Sequence, residues 1–331
     1  MYENHTRYSE MNLIMASDDN YAGVMAASIN SIAQNNSEAM KIYIIDDGIS
    51  NFNKKKIFEI ISRYNNLDIQ FIDFGVYGKK IKKLVKTTNP PLPLITFARL
   101  FISEMISDDM VLYVDCDTIC CGDISEFWNT DMSGKMIAGV WDTVDEKVKA
   151  YIGLNKNDRY INAGIILIDL KKWRENDCTS KAIDYINKKG GSVMHNDQGV
   201  INALFRNDIK IIEPKYNAMT PVFLISPSKI LKYFNLEEYY SYEEILEAKR
   251  NPIFIHFVRF TTSRPWEEKC CHPLKNEFVK NYVEVYGNTP KLKPYNLTKG
   301  QKVLYWVINN CPYFIYDIII RILSLKGKKN G

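Results

Sequence analysis

Two aspartates one residue apart, Asp115 and Asp117, close the apolar run Val111-Leu112-Tyr113-Val114. In an extended chain, side chains two positions apart share a face, so both carboxylates can grip one hard cation. Carboxylate oxygens suit manganese or magnesium, whose remaining coordination positions commonly take substrate phosphates. The chemistry this spacing offers is the handling of a nucleotide diphosphate. An acidic residue at a strand end is also a common turn former, so the surrounding elements have to decide.

Those elements alternate. Leu13 to Ala16 is a short apolar run ending in Ser17-Asp18-Asp19-Asn20, and Tyr21, Val24, Met25, Ser28, Ile29 and Ile32 then recur at helical spacing. Ile42 to Ile45 ends in Asp46-Asp47-Gly48 and is followed by the helical pattern Ile57, Ile60, Ile61 and Tyr64, with Ile69 to Ile72 as a third strand. Strands alternating with helices predict a doubly wound α/β domain. Such sheets bind ligands outside the carboxyl ends of their strands, which would bring Asp18, Asn20 and Asp115 together. No G-x-G-x-x-G stands in these loops, so side chains and metal, rather than a glycine-rich turn, would hold the nucleotide. Residues 76–96 carry Lys79, Lys80, Lys82, Lys83 and Lys86, then Asn89-Pro90-Pro91-Leu92-Pro93. This stretch reads as irregular, either a solvated loop or a lid that closes on substrate. Ile95 to Leu100 reads as a helix start, from which Arg99 could reach a phosphate or a sugar hydroxyl.

The chain of 331 residues can bury a large core in one or two domains, and 46% hydrophobic with 25% charged residues is ordinary globular composition. Met1 to Met11 lacks the apolar run of a secretory signal, so a cytoplasmic location is expected. The seven cysteines form no C-x2-C framework and read as reduced thiols; a zinc site from Cys116, Cys120 and Cys121 fits no zinc spacing. Charge is uneven. From Lys269 to Gly331 there are eleven Lys or Arg against three Asp or Glu, and the last part mixes Tyr305, Trp306, Tyr313, Phe314 and Tyr316 with an Ile-rich run. Pro312, Asp317 and Arg321 interrupt that run. It is a poor transmembrane helix, and reads either as an anchor on an anionic membrane surface or as a helical extension packed on protein. Residues 1–268 and 269–331 are accordingly expected to be a catalytic domain and a basic, aromatic extension. The basic residues lie beside a greasy segment and not along a recognisable binding motif, so no nucleic-acid partner is expected.

Taken in order, Ala16-Ser17-Asp18-Asp19-Asn20-Tyr21, Thr96-Phe97-Ala98-Arg99-Leu100, Val111 to Thr118, Asn162-Ala163-Gly164, Leu170-Lys171-Lys172-Trp173 and Asn196-Asp197-Gln198 make the chain resemble glycosyltransferase family 8, in particular its bacterial lipopolysaccharide galactosyl- and glucosyltransferases. The resemblance spans about residues 12–266. It implies an α/β, Rossmann-like nucleotide-sugar-binding fold of GT-A type with a mixed, mainly parallel central sheet and a helical C-terminal extension, and a retaining transfer of galactose or glucose from a UDP-sugar to a glycolipid or surface-polysaccharide precursor. By the same resemblance Asp18, Asn20 and Tyr21 contact uracil and ribose, Asp115, Asp117 and His256 hold Mn2+ (or Mg2+), and Asn162 binds the donor sugar or shapes the turn before Ile165. Asp197 would bind sugar hydroxyls, and Gln198 would sit by the anomeric carbon; both also read as an N-cap for the helix suggested by Val200, Ile201, Leu204 and Phe205. The neutral amide of Gln198 argues for stabilisation over covalent catalysis. The family's Gly-x-x-Lys-Pro-Trp phosphate loop is altered: His256 is followed by Phe257-Val258-Arg259-Phe260-Thr261-Thr262-Ser263-Arg264-Pro265-Trp266, with no glycine and with Arg264 for lysine. Arginine keeps the charge and changes the geometry.

Two other readings compete. A haloacid-dehalogenase-type phosphatase also places D-x-D after an apolar strand, but it expects the motif near the domain start and a threonine where this chain has Ile119. A non-catalytic sugar-nucleotide-binding or membrane scaffold protein would explain the altered loop, but not the retention of Asp115, Asp117, Asp197 and His256.

Overall fold

The computed structural model describes residues 10–86, 93–316 and 318. Its centre is a seven-stranded sheet built from β1 (Met11–Asp18), β2 (Met40–Asp47), β3 (Leu67–Asp73), β4 (Met110–Val114), β6 (Ile137–Trp141), β7 (Ile161–Asp169) and β8 (Ile209–Ile212), in the order β3-β2-β1-β4-β7-β6-β8. β1 pairs in parallel with both β2 and β4, whereas β7 runs antiparallel to β4 and β6. The sheet is therefore mixed and mainly parallel, as the family resemblance implies. A second sheet of three short strands, β5 (Thr118–Cys120), β9 (Ala218–Met219) and β10 (Phe254–His256), has the order β5-β10-β9.

The apolar runs become strands because both faces of the sheet are covered. Leu13, Met15, Ile42 and Ile44 pack with Met25, Ile29 and Ile32 of α1 (Asp19–Asn35) and with Ile57 and Ile60 of α2 (Asn51–Ile61). On the opposite face, Ile14, Ile45, Val111, Tyr113, Ile166 and Ile168 pack with Phe97, Leu100, Trp173 and Val200. Burying each Leu or Ile of such a layer contributes roughly 1.5–3 kcal/mol. The chain winds from β1 through β2 to β3 on one side and returns for β4 on the other, so the switch point lies between the carboxyl ends of β1 and β4.

Two expectations are corrected here. Residues 76–96 are not irregular throughout: α3 (Gly75–Leu84) takes in Lys79, Lys80, Lys82 and Lys83. Ile81 is fully covered and packs with Phe74 and Phe101, and the half-buried Tyr77 and Leu84 lie on the same face at helical spacing, with Lys79, Lys80, Lys82 and Lys83 turned to solvent. The proline-rich residues 87–92, proposed as part of a lid, lie outside the described residues. Second, Asp115 and Asp117 do not converge by strand alternation. β4 ends at Val114 and β5 starts at Thr118, so a tight turn between strands of two different sheets carries both aspartates.

The segment after residue 268 packs partly on the rest. Asn281 and Glu284 of the Lys275–Tyr286 helix both accept from Asn30 of α1 at 2.9 Å, and Phe278 and Ile308 share an apolar cluster with Val24, Ala27 and Phe257. Thr261 donates to Asn309 at 2.6 Å. The outer side of this segment is different: Val303 and Trp306 (61% exposed) of the Lys299–Asn310 helix, and Phe314 and Ile318 beyond its end, are open to solvent. No helix among the described residues is long and apolar enough to cross a membrane.

Candidate active site

The turn at 115–117 and the end of β10 meet because β10 pairs antiparallel with β5, placing His256 opposite Thr118. One ligand atom each from Asp115, Asp117 and His256 then lies within 4.8 Å of the others, the one such trio among the described residues. His256 Nε2 stands 3.2 Å from Asp117 Oδ1 and 4.0 Å from Asp115 Oδ2. The opposite ring nitrogen, Nδ1, is 2.9 Å from Asn217 Oδ1, while Asn217 Nδ2 donates to Asn162 Oδ1 at 2.9 Å. With Asn217 accepting at Nδ1, the ring is oriented so that Nε2 faces the two carboxylates. Two carboxylates and an imidazole nitrogen converging on one point are a donor set that fits a divalent metal. Gly164 keeps the space open: a Cβ there would stand 2.4 Å from His256 Cε1 and 2.6 Å from Asp115 Oδ2. The cysteines form no rival site. All seven are free, and burial pushes the Cys120 and Cys121 thiols up to about 12.

Two arginines surround the trio. Arg264 reaches Asp117 Oδ2 at 2.8 Å and donates to Tyr21 Oη at 2.9 Å and the Phe257 carbonyl at 3.1 Å. Burial would raise the Asp117 carboxyl, but Arg264 and His256 beside it outweigh burial and hold it well below the usual carboxylate range. The altered loop thus still brings a cation to the metal corner, braced by Glu267, which accepts from the Arg264 N–H at 2.9 Å and pairs with Arg259. Arg99, 7% exposed, is turned onto carboxylates: its Nη2 donates to Asp115 Oδ1 at 2.9 Å and its Nε stands 2.7 Å from Asp197 Oδ2. The second contact is an ion pair without a hydrogen bond, because Nε lies off the donor axis. The guanidinium also stacks 4.2 Å over the Tyr113 ring.

Asp197 and Gln198 sit in the first turn of the Asn196–Phe205 helix, and His195, in the left-handed region at φ 57°, occupies the N-cap position without a side-chain cap bond. The N-cap reading of Asp197 and Gln198 is therefore corrected: both point into the site from inside the helix. Gly199 permits this, since a Cβ there would stand 1.9 Å from the Met194 carbonyl oxygen. Burial pushes the Asp197 carboxyl up to about 6 against the opposing pull of Arg99. Asn162 is likewise not in a turn before Ile165 but is the second residue of β7, with its Nδ2 donating to Asp142 Oδ2 at 3.2 Å and Gln198 Oε1 at 3.3 Å.

Asp18, at the end of β1, caps α1: its Oδ1 accepts from Tyr21 N–H and its Oδ2 from Asn20 Nδ2, each at 3.0 Å. Cys116 Sγ donates to the Ala16 carbonyl at 3.2 Å, which ties the aspartate turn to the end of β1. Sequence reasoning missed Asn217, Asp142, Tyr160 and His195. Asp142 had a signal, an acid directly after the apolar strand Ile137–Trp141; Asn217, in a short 3-10 turn, had none.

A twisted, mainly parallel sheet with acidic residues and a cation trio at its switch point defines a class, the GT-A type glycosyltransferases. The same fold is seen in the galactosyltransferase LgtC solved in complex with donor and acceptor sugar analogs, with a TM-score of 0.66 and 22% identity over 88% of this chain and 99% of that one. Residues 12–270 match the glycosyl transferase family 8 model, and the chain belongs to that family. It is 31% identical to a putative glycosyltransferase of Haemophilus influenzae over 79% of this chain and 74% of the relative. It is 26% identical to the lipopolysaccharide 1,2-glucosyltransferase of Escherichia coli over 85% and 78%. The chain is thus a glycosyltransferase, and the phosphatase and non-catalytic scaffold readings fall with the family match.

Proposed function

We propose that the protein is a retaining, metal-dependent hexosyltransferase that moves galactose or glucose from a UDP-sugar to a glycolipid or surface-polysaccharide precursor. The observation that carries this reading is the metal corner itself: two carboxylates and an imidazole nitrogen aimed at one point, with Arg264 alongside. The names of similar proteins, a lipopolysaccharide glucosyltransferase and a galactosyltransferase, point to the same substrates.

In this reading Asp115, Asp117 and His256 hold Mn2+ or Mg2+, which when bound supplies positive charge against the leaving diphosphate. Arg264 adds a second cation there. Asp18, Asn20 and Tyr21 line the end of β1 for uracil and ribose. Arg99 neutralises Asp115 and Asp197, and through them sets their positions toward phosphate and sugar. Asp197 and Asn162 take hydroxyls of the donor hexose. Gln198 Oε1 already accepts from Ala163 N–H at 3.0 Å and from Asn162, so both its lone pairs are engaged. That favours a stabilising amide over a nucleophile, and the acceptor hydroxyl then loses its proton to the departing phosphate on the same face.

The test is turnover of UDP-galactose and UDP-glucose against GDP-, ADP- and CMP-sugars, with and without manganese. Manganese-dependent hydrolysis or transfer from one UDP-hexose is expected; equal rates with EDTA would overturn it. The acceptor is assigned to a membrane surface on the cytoplasmic side because Val303, Trp306 and Phe314 are exposed beside Lys299 and Lys302. Since Val307 and Ile308 of that helix are buried, point substitution is cleaner than truncation. Trp306→Ser should weaken binding to anionic liposomes severalfold and leave donor hydrolysis intact; unchanged liposome binding would reject the assignment.

A further inference from the structure

A second row of side chains crosses the site from solvent to Gln198, and holding a metal explains none of it. His195 is exposed, Tyr160 is fully buried at 0%, and the Tyr160 oxygen lies 3.0 Å from His195 Nδ1 and 3.4 Å from Gln198 Nε2. Gln198 Nε2 also donates to Asp142 Oδ2 at 3.1 Å. Asp142 is held in turn by its own N–H to the Tyr160 carbonyl at 2.8 Å, and its Oδ1 accepts from Thr143 N–H at 2.7 Å. Tyr160 therefore fixes this row twice, through its backbone and through its hydroxyl.

The row determines which way the Gln198 amide points. As placed, both its N–H groups meet acceptors, Asp142 and Tyr160, and its oxygen meets two donors, Ala163 N–H and Asn162 Nδ2. Turned over, the amide oxygen would face the Asp142 carboxylate and the amide N–H groups would face two other N–H groups, so one orientation is strongly excluded. A hydroxyl has a single hydrogen. With Gln198 donating to it, Tyr160 gives that hydrogen to His195 Nδ1, which fixes the histidine tautomer with its proton on Nε2.

We propose, resting on the transferase reading above, that Tyr160 is a positioning residue for the reaction: together with Asp142 it occupies the N–H groups of Gln198, so that the amide meets the donor sugar with one fixed dipole, and His195 holds the Tyr160 hydroxyl in that role. A fixed dipole needs no reorientation as charge develops in the transition state, which is where such preorganisation acts.

The test is Tyr160→Phe, which keeps the buried ring and removes only the hydroxyl. The expected result is a fall in kcat of about tenfold, the size of one hydrogen bond, with donor KM within about twofold. In a Gln198→Ala background the same substitution should have no further effect on kcat, because the two side chains act as one unit. An equal fall in both backgrounds, a change confined to KM, or no change in kcat would each overturn the proposal. A readout independent of turnover is the nitrogen NMR signal of His195. The wild-type protein should show Nδ1 unprotonated as an acceptor, and Tyr160→Phe should release the ring to a mixture of tautomers. A His195 signal that ignores Tyr160→Phe overturns the hydrogen bond itself. No turnover by the wild-type protein with any sugar nucleotide instead removes the transferase reading, and this role with it, even where the NMR signal responds.

Discussion

The two halves of the active site are built on opposite principles. The corner around Asp115, Asp117, His256 and Arg264 is charged: a histidine ring nitrogen faces two carboxylates, each of which is also paired with an arginine. The corner around Asn162, Gln198, Asp142 and Tyr160 is mostly neutral, and its hydrogen-bonding groups answer one another. Side chains of the first kind bring carboxylate and imidazole donor atoms to one point, as a metal ligand set does. Side chains of the second kind are already satisfied, and a satisfied buried network is rigid. The charged corner would then supply electrostatics and the amide corner geometry. If so, damage to the first should remove ligand binding, and damage to the second should leave binding and reduce turnover.

The largest effect is expected at the charged corner. Asp117→Asn keeps the shape and removes a metal-facing charge, so donor turnover should fall at least a hundredfold to a thousandfold, the scale of losing one key electrostatic group. Manganese binding, read by titration calorimetry, should weaken with it. Normal manganese affinity in this variant would break the comparison at once, because the convergence of donor atoms would then have another purpose.

Asp197 stands where the corners meet, paired with Arg99 and flanked by Gln198, and its burial can be read through pH. Its carboxyl is pushed up from an ordinary 3.8 to about 6, first by burial and in smaller part by Asp115, with Arg99 opposing. The folded state therefore holds this proton more tightly than the unfolded chain does. Stability from this group is full below about pH 4, declines as pH rises through about 6, and is flat above, a span of about 3 kcal/mol from a shift of about two units. Asp197→Asn carries no titrating proton. The difference in unfolding free energy between the wild-type protein and this variant, measured in EDTA from pH 4 to pH 8, should shrink by most of that amount with rising pH. A difference that is constant or grows would show Asp197 to be comfortably ionised in the folded protein.

The sequence made the charged corner legible and the amide corner largely not, and the reason is physical. Strand-terminal acids such as Asp18, Asp115 and Asp117 announce themselves against apolar runs, and the parallel order of β1 and β4 could be inferred from alternating elements. Even there the mechanism of convergence differed, since the aspartates meet through a turn joining two sheets. Arg99 was legible as a site residue, but its partners were not, because nothing local says that a guanidinium will be turned onto Asp115 and Asp197. Asn217, Tyr160 and His195 are ordinary residues in ordinary surroundings along the chain. They gain meaning only from pairings such as Asn162 with Asn217, which lie 55 positions apart. The lysines of α3 mislead for a related reason: they stand between Tyr77, Ile81 and Leu84, whose contact face shows only once the helix packs on Phe74 and Phe101.

Asn217 offers the sharpest cut between the two corners because it touches both. Its oxygen takes the His256 Nδ1 proton and its nitrogen serves Asn162 Oδ1. Removing a group that orients a metal-binding histidine commonly costs tenfold to a hundredfold in metal affinity. Asn217→Ala frees His256 to rotate and to change tautomer, so manganese affinity should fall within that range. Asn162, by contrast, keeps three of its four contacts: its oxygen still accepts from Gly164 N–H at 3.0 Å, and its nitrogen still reaches Asp142 and Gln198. The amide corner should therefore hold its shape, and turnover at saturating manganese should recover to within a few fold of the wild-type rate. Recovery would show that the two corners are separable, one dependent on His256 and the other not. A loss that manganese cannot restore would show that Asn217 transmits between them, and that the metal corner and the amide corner are one cooperative unit.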